Sequence, residues 1–324
     1  MKILFENRAS ILLYNFLSGI SSDKPFLMPA NICPIVPAVF LKAGRTFEFI
    51  DICLNTFEMQ RQSIISIFKK KINDFSGMLW VNPYGASNKD DSFFKDIKNI
   101  KPDFLIIDDR CLQKPSFSFP NSHADITIYS TGYSKYVDIN WGGFGFLQGR
   151  NYNYTKHDLD YSATDLEQLT HEFEKSITDK KPISYKNSNW LGDTSIKNNY
   201  NNYKKKILTK MVELEVHKNK LNKIYKQNIS EDYQFAPEYQ NWRFNIFVNK
   251  KKHLLKNIFS KNLFASSHYY PATLIYNQQS SPNALRLHKH VVNLFNDFRF
   301  TPAMALEVSA IVEKHNNRYG PIKL

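Results

Sequence analysis

The stretch ITIYSTGYSKYVDINWGGFGFLQG, residues 126–149, decides how the rest of the chain is read. It begins with the apolar run ITIYST (126–131) and ends with FGFLQG (144–149), and both read as strands. Between them Lys135 sits among Ser130, Thr131, Gly132 and Ser134, and Gly142 and Gly143 follow it. A solvated surface lysine requires no such setting.

Outward from this stretch, short apolar runs alternate with longer mixed segments. FLMPA (26–30), TFEFIDI (46–52), GMLWVN (77–82) and DFLIIDD (103–109) read as further strands. Residues 10–20 carry Leu13, Leu17 and Ile20 at helical spacing. Ile35 to Ala43 reads as a helix closed by Gly44, and a polar helical stretch runs to about Lys71. Strand and helix alternate in this way over the first 150 residues or so, which predicts an α/β class with a large, mostly parallel sheet. Residues 151–200 are polar and Asn-rich and give no clear pattern. Beyond them the texture changes. A long helix is expected over 200–228, with Ile207, Met211, Leu214, Leu221 and Tyr225 on one side. A strand at 241–249 and helices at 253–262 and 303–315 follow. The expected organisation is a large α/β domain, residues 1–195, and a smaller C-terminal α+β domain, residues 196–324.

The chain has 324 residues and a net charge of +13. Such a charge favours anionic partners. Its lysines are dispersed, however, with short runs only at 69–71, 204–206 and 250–252, so a solvated basic surface is expected rather than a nucleic-acid stripe. Three cysteines, Cys33, Cys53 and Cys111, form no CxxC pair and suggest neither a disulfide framework nor a metal site. No signal peptide opens the chain, and no apolar window is long enough to span a membrane. A cytoplasmic location is the simplest expectation.

In an open parallel sheet, ligands bind beyond the carboxyl ends of the strands. Three such ends stand out. LIIDD places Asp108 and Asp109 at one, Ser130 stands at the next with Lys135 five residues on, and VNPYG (81–85) ends a third in a tight turn. A lysine, an upstream acid and a hydroxyl cluster suggest pyridoxal phosphate, which needs a lysine for its Schiff base and a carboxylate on its pyridine nitrogen. Its phosphate needs a cup, which the helix starting near Ala9 and the Ser130 hydroxyl can form. Taken singly, a loop lysine, a strand-end Asp pair and a turn glycine are all ordinary features. Their order carries the reading.

In that order the chain resembles the DegT/DnrJ/StrS family of sugar aminotransferases, fold-type-I enzymes that use pyridoxal phosphate. FLMPANICPIVPAVFLKAGRTFEFIDI is similar to the family's early strand–helix–strand stretch, with Pro29 and Gly44 at its landmarks. The resemblance implies that Asp109 binds the pyridine nitrogen, Ser130 binds phosphate and Lys135 is the Schiff-base lysine, with Gly142 and Gly143 the glycine pair that follows. VNPYG is similar to the family's next strand-and-turn, which sets Tyr84 among the cofactor contacts. FASSHYYPA and the AIVEKH helix resemble its small domain.

The implied activity is transfer of an amino group, from glutamate, to a nucleotide-linked keto sugar in amino-sugar or surface-polysaccharide biosynthesis. The implied assembly is a homodimer, for which the Asn-rich 185–203 region is the candidate cross-subunit contact. The chain also departs from the family. Asn7-Arg8-Ala9-Ser10 replaces the usual Gly-Thr-Ala of the phosphate helix, so Arg8 and Ala9 are expected to meet phosphate, Arg8 through its N–H or guanidinium. Leu112 stands where a His or Gln is usual, and is expected to pack on apolar neighbours. The segment that ordinarily precedes the phosphate helix is expected to be absent, since the chain starts almost at that helix. These departures keep open a relative with the same fold that runs another reaction of this cofactor or only binds a ligand. A basic nucleic-acid binder is a third reading, and it gives no role to the Asp–Lys order. Asp108 is expected to orient backbone or cap a turn.

Overall fold

The computed structural model describes residues 1–87, 91–148, 152–192 and 199–322. In chain order these contain β1 (Lys2–Glu6), α1 (Ala9–Ser18), β2 (Phe26–Pro29), α2 (Ile35–Lys42), β3 (Phe47–Ile50), α3 (Arg61–Lys71), β4 (Gly77–Val81), α4 (Asp91–Ile100), β5 (Leu105–Asp109), β6 (Ile126–Ser130), β7 (Gly143–Leu147) and α5 (Ala163–Asp179). The chain continues with α6 (Tyr200–Asn228), β8 (Phe244–Phe247), α7 (Lys251–Phe259), β9 (Ala265–Ser266), α8 (Thr273–Tyr276), α9 (Pro282–His290), β10 (Val291–Leu294) and α10 (Pro302–Tyr319).

The first seven strands form one sheet in the order β1-β7-β6-β5-β4-β2-β3. Strands β2 to β6 pair in parallel, while β7 runs antiparallel to both β6 and β1. The sheet is buried on both faces, which is why its strands read as continuous apolar runs. Leu79, Leu105, Ile107, Ile126 and Ile128 face the core shared with α1 and α2. Met78, Trp80 and Ile106 face the opposite core, with Ile64 and Phe68 of α3 and Phe94 and Ile97 of α4. This alternation puts Asp109 on the α1–α2 side and Asp108 on the other.

Strands β8, β10 and β9 form a separate antiparallel sheet, consistent with a smaller C-terminal unit. Helix α6 spans the two sheets. Tyr203, Ile207 and Leu214 pack on Tyr129, Phe144 and Phe146 of the large sheet. Leu221 and Tyr225 pack in the core of the small one, beside Phe244 and Val292. Sequence periodicity places this helix at the residues where it occurs. The expected break at 195/196 falls at positions outside the described residues.

The sequence reading did not name α4, α8, α9, β9 or β10, and three further features differ from it. β1 is an added edge strand in which only Leu4 is well buried, and its apolar run, Ile3-Leu4-Phe5, is three residues long. α5 lies within the Asn-rich stretch that gave no pattern, and it buries only Leu169, Phe173 and Ser176. The expected strand at 241–249 is shorter, Phe244–Phe247, because the chain before it turns through Asn241 and Trp242.

Candidate active site

The carboxyl ends of β4, β5 and β6 and the first turn of α1 surround a cavity of about 500 Å³. Arg8, Ala9, Asp109, Ser130 and Lys135 all line it, so five of the six residues singled out in the sequence come together. The sixth, Tyr84, does not line it. Its turn has positive φ, its ring packs among Phe57, Phe235 and Trp242, and its hydroxyl donates to the His268 carbonyl at 3.0 Å. Tyr84 therefore braces the segment next to the cavity and is buried away from it.

The two aspartates divide as the strand alternation requires. Asp108 is fully buried, accepts a hydrogen bond from Asn82 Nδ2 at 2.7 Å, and pairs with Arg110 at 2.7 Å. It is a structural ion pair, which corrects the expectation of a turn cap. Asp109 accepts the Cys111 N–H at 2.8 Å and faces the cavity. Among the described residues no cation pairs with Asp109, and no hydrogen bond or ion pair engages the Lys135 ammonium. A carboxylate and an amine thus face one cavity without neutralising each other in a salt bridge.

The glycine pair explains how α1 reaches this place. A Cβ on Gly143 would stand 2.3 Å from the Ala9 nitrogen, so only glycine lets the start of α1 seat on β7. Gly142 has φ +95°, and a Cβ there would strike the Tyr203 ring at 2.5 Å. The first intrahelical bonds of α1 run from Ile11 and Leu12 N–H to the Arg8 carbonyl, and no side chain caps the helix. The turn formed by Ala9 and Ser10 is thus presented to the cavity as an anion-binding end. Ser130 Oγ accepts the Gly132 N–H at 3.3 Å, which leaves its own proton to donate. The Arg8 guanidinium lies over the Tyr161 ring at 5.3 Å.

Three cavity residues escaped the sequence reading as site residues: Cys33, Cys111 and Tyr269. Burial pushes the pKa of all three up, and Asp109 adds to the effect on each, while the Lys135 charge opposes it at both thiols. Tyr269 is therefore a protonated phenol facing the cavity. Its signal was the stretch FASSHYYPA, noted for its likeness to a small domain but not for any one side chain. Leu112 also reaches the cavity wall, yet packs in the apolar cluster with Tyr84 and Trp242. Gln113 points elsewhere, donating to the Ala86 carbonyl.

No family model and no curated protein matches the sequence. Solved structures do match. One is a DegT DnrJ EryC1 StrS aminotransferase from Brucella abortus, 14% identical with a TM-score of 0.68, covering 99% of this chain and 86% of that one. A second is Helicobacter pylori PseC, an aminotransferase involved in the biosynthesis of pseudoaminic acid, at 16% identity and TM-score 0.66, covering 98% and 88%. A third is the Escherichia coli GDP-4-keto-6-deoxy-D-mannose-3-dehydratase with bound hydrated pyridoxal phosphate, at 15% and 0.60, covering 96% and 87%. At these identities the likeness fixes the architecture: this chain has the fold of the pyridoxal-phosphate-dependent sugar aminotransferases along nearly its whole length.

Proposed function

We propose that the protein is a pyridoxal-phosphate-dependent aminotransferase of the DegT/DnrJ/StrS type, acting on a nucleotide-linked keto sugar with glutamate as donor. The observation that carries this reading is the convergence of Lys135, Asp109, Ser130 and the start of α1 on one cavity of that fold. The donor set fits the cofactor at each end. Asp109 would hold a proton on the ring nitrogen, and Ser130 with the Ala9–Ser10 turn would bind the phosphate. Lys135 has an unengaged amine to anchor the aldehyde carbon.

When bound, pyridoxal phosphate supplies an electron sink for the carbon that gains or loses the amino group. The chain's own residues supply the rest. Lys135 would carry the proton to and from the substrate carbon as acid and base. Asp109 would hold the proton on the ring nitrogen in place. Tyr269, held protonated, offers a hydrogen bond to an anionic oxygen within the cavity. The positive balance of the chain suits a diphosphate-bearing substrate. The assembly is read as a homodimer in the cytoplasm. Residues 185–203 are the candidate cross-subunit segment, of which 193–198 lie outside the described residues. No helix among the described residues is long and apolar enough to cross a membrane.

The test is incubation with cofactor, borohydride reduction and peptide mapping, followed by glutamate and a panel of nucleotide-linked keto sugars. The reading requires label on Lys135 and conversion of glutamate to its keto acid. A second reading, another reaction on the same cofactor, is favoured by the packing of Leu112, which leaves no polar side chain at that position in the wall. Label on Lys135 with no amino transfer from any donor would select it.

A further inference from the structure

Lys135 belongs to a loop, residues 131–141, that the small sheet grips from outside the cavity. The residue just before it, Ser134, has φ +62°, and three groups hold it there. Trp242 Nε1 donates to its carbonyl at 2.7 Å. Asp138 Oδ2 accepts its N–H at 2.7 Å. The Arg243 guanidinium donates to its hydroxyl. Asp138 is in turn held by Arg299, which also pairs with Asp297 at 2.6 Å.

Arg243 is an expensive residue to keep in this place. It is 2% exposed, and among the described residues no carboxylate forms a salt bridge with it. Its hydrogen bonds go to two serine hydroxyls, Ser134 and Ser266, one on each side of the junction between the sheets. The faces of Phe295, at 3.8 Å, and Trp242, at 4.5 Å, complete its surroundings. Its Nε has no hydrogen-bond partner among the described residues. Burial lowers its pKa to about 10, with Asp297 opposing. A buried cation without a direct salt bridge costs stability that an apolar residue of the same volume would not. Folding alone does not call for an arginine here.

We infer that Arg243 is a positioning residue for Lys135: it ties the small sheet to Ser134 and so fixes the loop that aims the amine into the cavity. The consequence for chemistry rests on the reading of Lys135 given above, whereas the mechanical claim does not. Reactions of this kind are sensitive to placement, since a misplacement of about 1 Å can cost on the order of a hundredfold.

The experiment compares wild type, Arg243→Met, Arg243→Lys and Ser134→Ala by two readouts. The first is amide hydrogen exchange across residues 131–141. The second is the rate at which added pyridoxal phosphate becomes borohydride-fixed to Lys135. Arg243→Met should keep the thermal midpoint of the wild type or raise it. It should speed exchange of the loop amides about tenfold, the factor that corresponds to about 1.4 kcal/mol, and slow fixation by a similar factor. Arg243→Lys keeps the charge but not the fork, and should fall between the two. Loop exchange unchanged in Arg243→Met, or raised evenly over the whole protein, overturns the inference. If Arg243→Met does not fold, Ser134→Ala decides it on the same criteria. If the wild type fixes no cofactor on Lys135, the proposed function fails, and the exchange data still decide whether Arg243 holds the loop.

Discussion

Lys218 and Lys135 are both drawn in from solvent, and the protein treats them in opposite ways. Lys218, on α6 at the small sheet, is 3% exposed and donates to the Trp242 carbonyl and to Asn296 Oδ1, each at 2.7 Å. Around it the polar groups satisfy one another: Asn296 donates to Asn222 at 2.9 Å, and Asn293 donates to Asn245 at 2.7 Å. Lys135, beyond the carboxyl end of β6 in the large sheet, is half-buried and has no such partners among the described residues. The same contrast separates Asp108, locked to Arg110, from Asp109, turned to the cavity. Polar groups that specify a fold are paired off, whereas groups kept for chemistry are left with capacity to bind something else.

The largest effect is expected where that capacity is removed. Lys135→Ala should abolish borohydride-stable attachment of the cofactor altogether. It should leave the thermal midpoint almost unchanged, because the side chain holds nothing in the fold. Attachment at a different lysine would break the comparison at its root, and a large loss of stability would show Lys135 to be a structural residue like Lys218.

The aspartates should separate stability from binding. Asp109→Asn should weaken cofactor binding by roughly tenfold to a hundredfold, the cost of losing a hydrogen bond to a charged group, with little change in unfolding free energy. Asp108→Asn should do the reverse. It leaves the Arg110 charge and Asn82 amide without their carboxylate partner, and should cost about 3 kcal/mol in a denaturant titration. Equal effects of the two changes on both measurements would erase the distinction.

These two strand-end residues also show what the sequence could carry. Residues 105–107 read as a strand because both faces of the sheet are buried, and the pairing of Asp with Lys across two strands follows from order in the chain. Which aspartate faces the cavity depends on register, and the assignment to Asp109 came from resemblance. The edge strand β1 was not legible because its apolar run is only three residues long, Ile3 to Phe5, and an edge strand buries little of it. Helix α5 was masked by a polar surface with few buried positions. Tyr84 was misplaced because a turn motif says where the chain reverses and not where its ring points. Tyr269 and Cys33 reach the cavity from segments distant in sequence from Asp109 and Lys135, and Cys111, two residues past Asp109, was overlooked because a lone cysteine carries no pattern. Arg243 was hidden inside what read as an unremarkable strand.

The locked lysine makes its own prediction. Burial lowers the pKa of Lys218 to about 7, with Asp297 opposing the shift. A neutral amine has two N–H groups, which match its two acceptors. The unfolded chain binds the proton up to the ordinary lysine value, about 10.4. Between pH 7 and that value the unfolded state carries one more proton than the folded state, so stability should rise with pH by up to about 1.4 kcal/mol per unit. Below pH 7 both states are protonated and the penalty stays constant. Lys218→Met should remove this slope when unfolding is measured from pH 7 to 9. A slope unchanged in Lys218→Met would mean that the lysine is charged throughout and that other groups set the dependence.

The smallest effect is expected at Leu112, where the two kinds of region meet. Its side chain is 6% exposed, packs with Tyr84 and Trp242, and yet reaches the wall of the cavity. Leu112→Gln asks whether this position behaves as fold or as site. An amide buried without a partner costs about 1–3 kcal/mol, so the thermal midpoint should fall in the cofactor-free protein. If the new amide reaches the cavity, bound cofactor supplies an acceptor, and the gain of one hydrogen bond to a charged group should tighten binding by about tenfold or somewhat more. Titration of cofactor against the wild type and the variant then gives two numbers whose signs oppose: lower stability alone, higher affinity with the cofactor. Lower stability with unchanged or weaker affinity would place Leu112 wholly within the packed cluster. The position would then offer the cofactor no polar contact whichever residue occupies it, and the second reading of the function would gain ground over amino transfer.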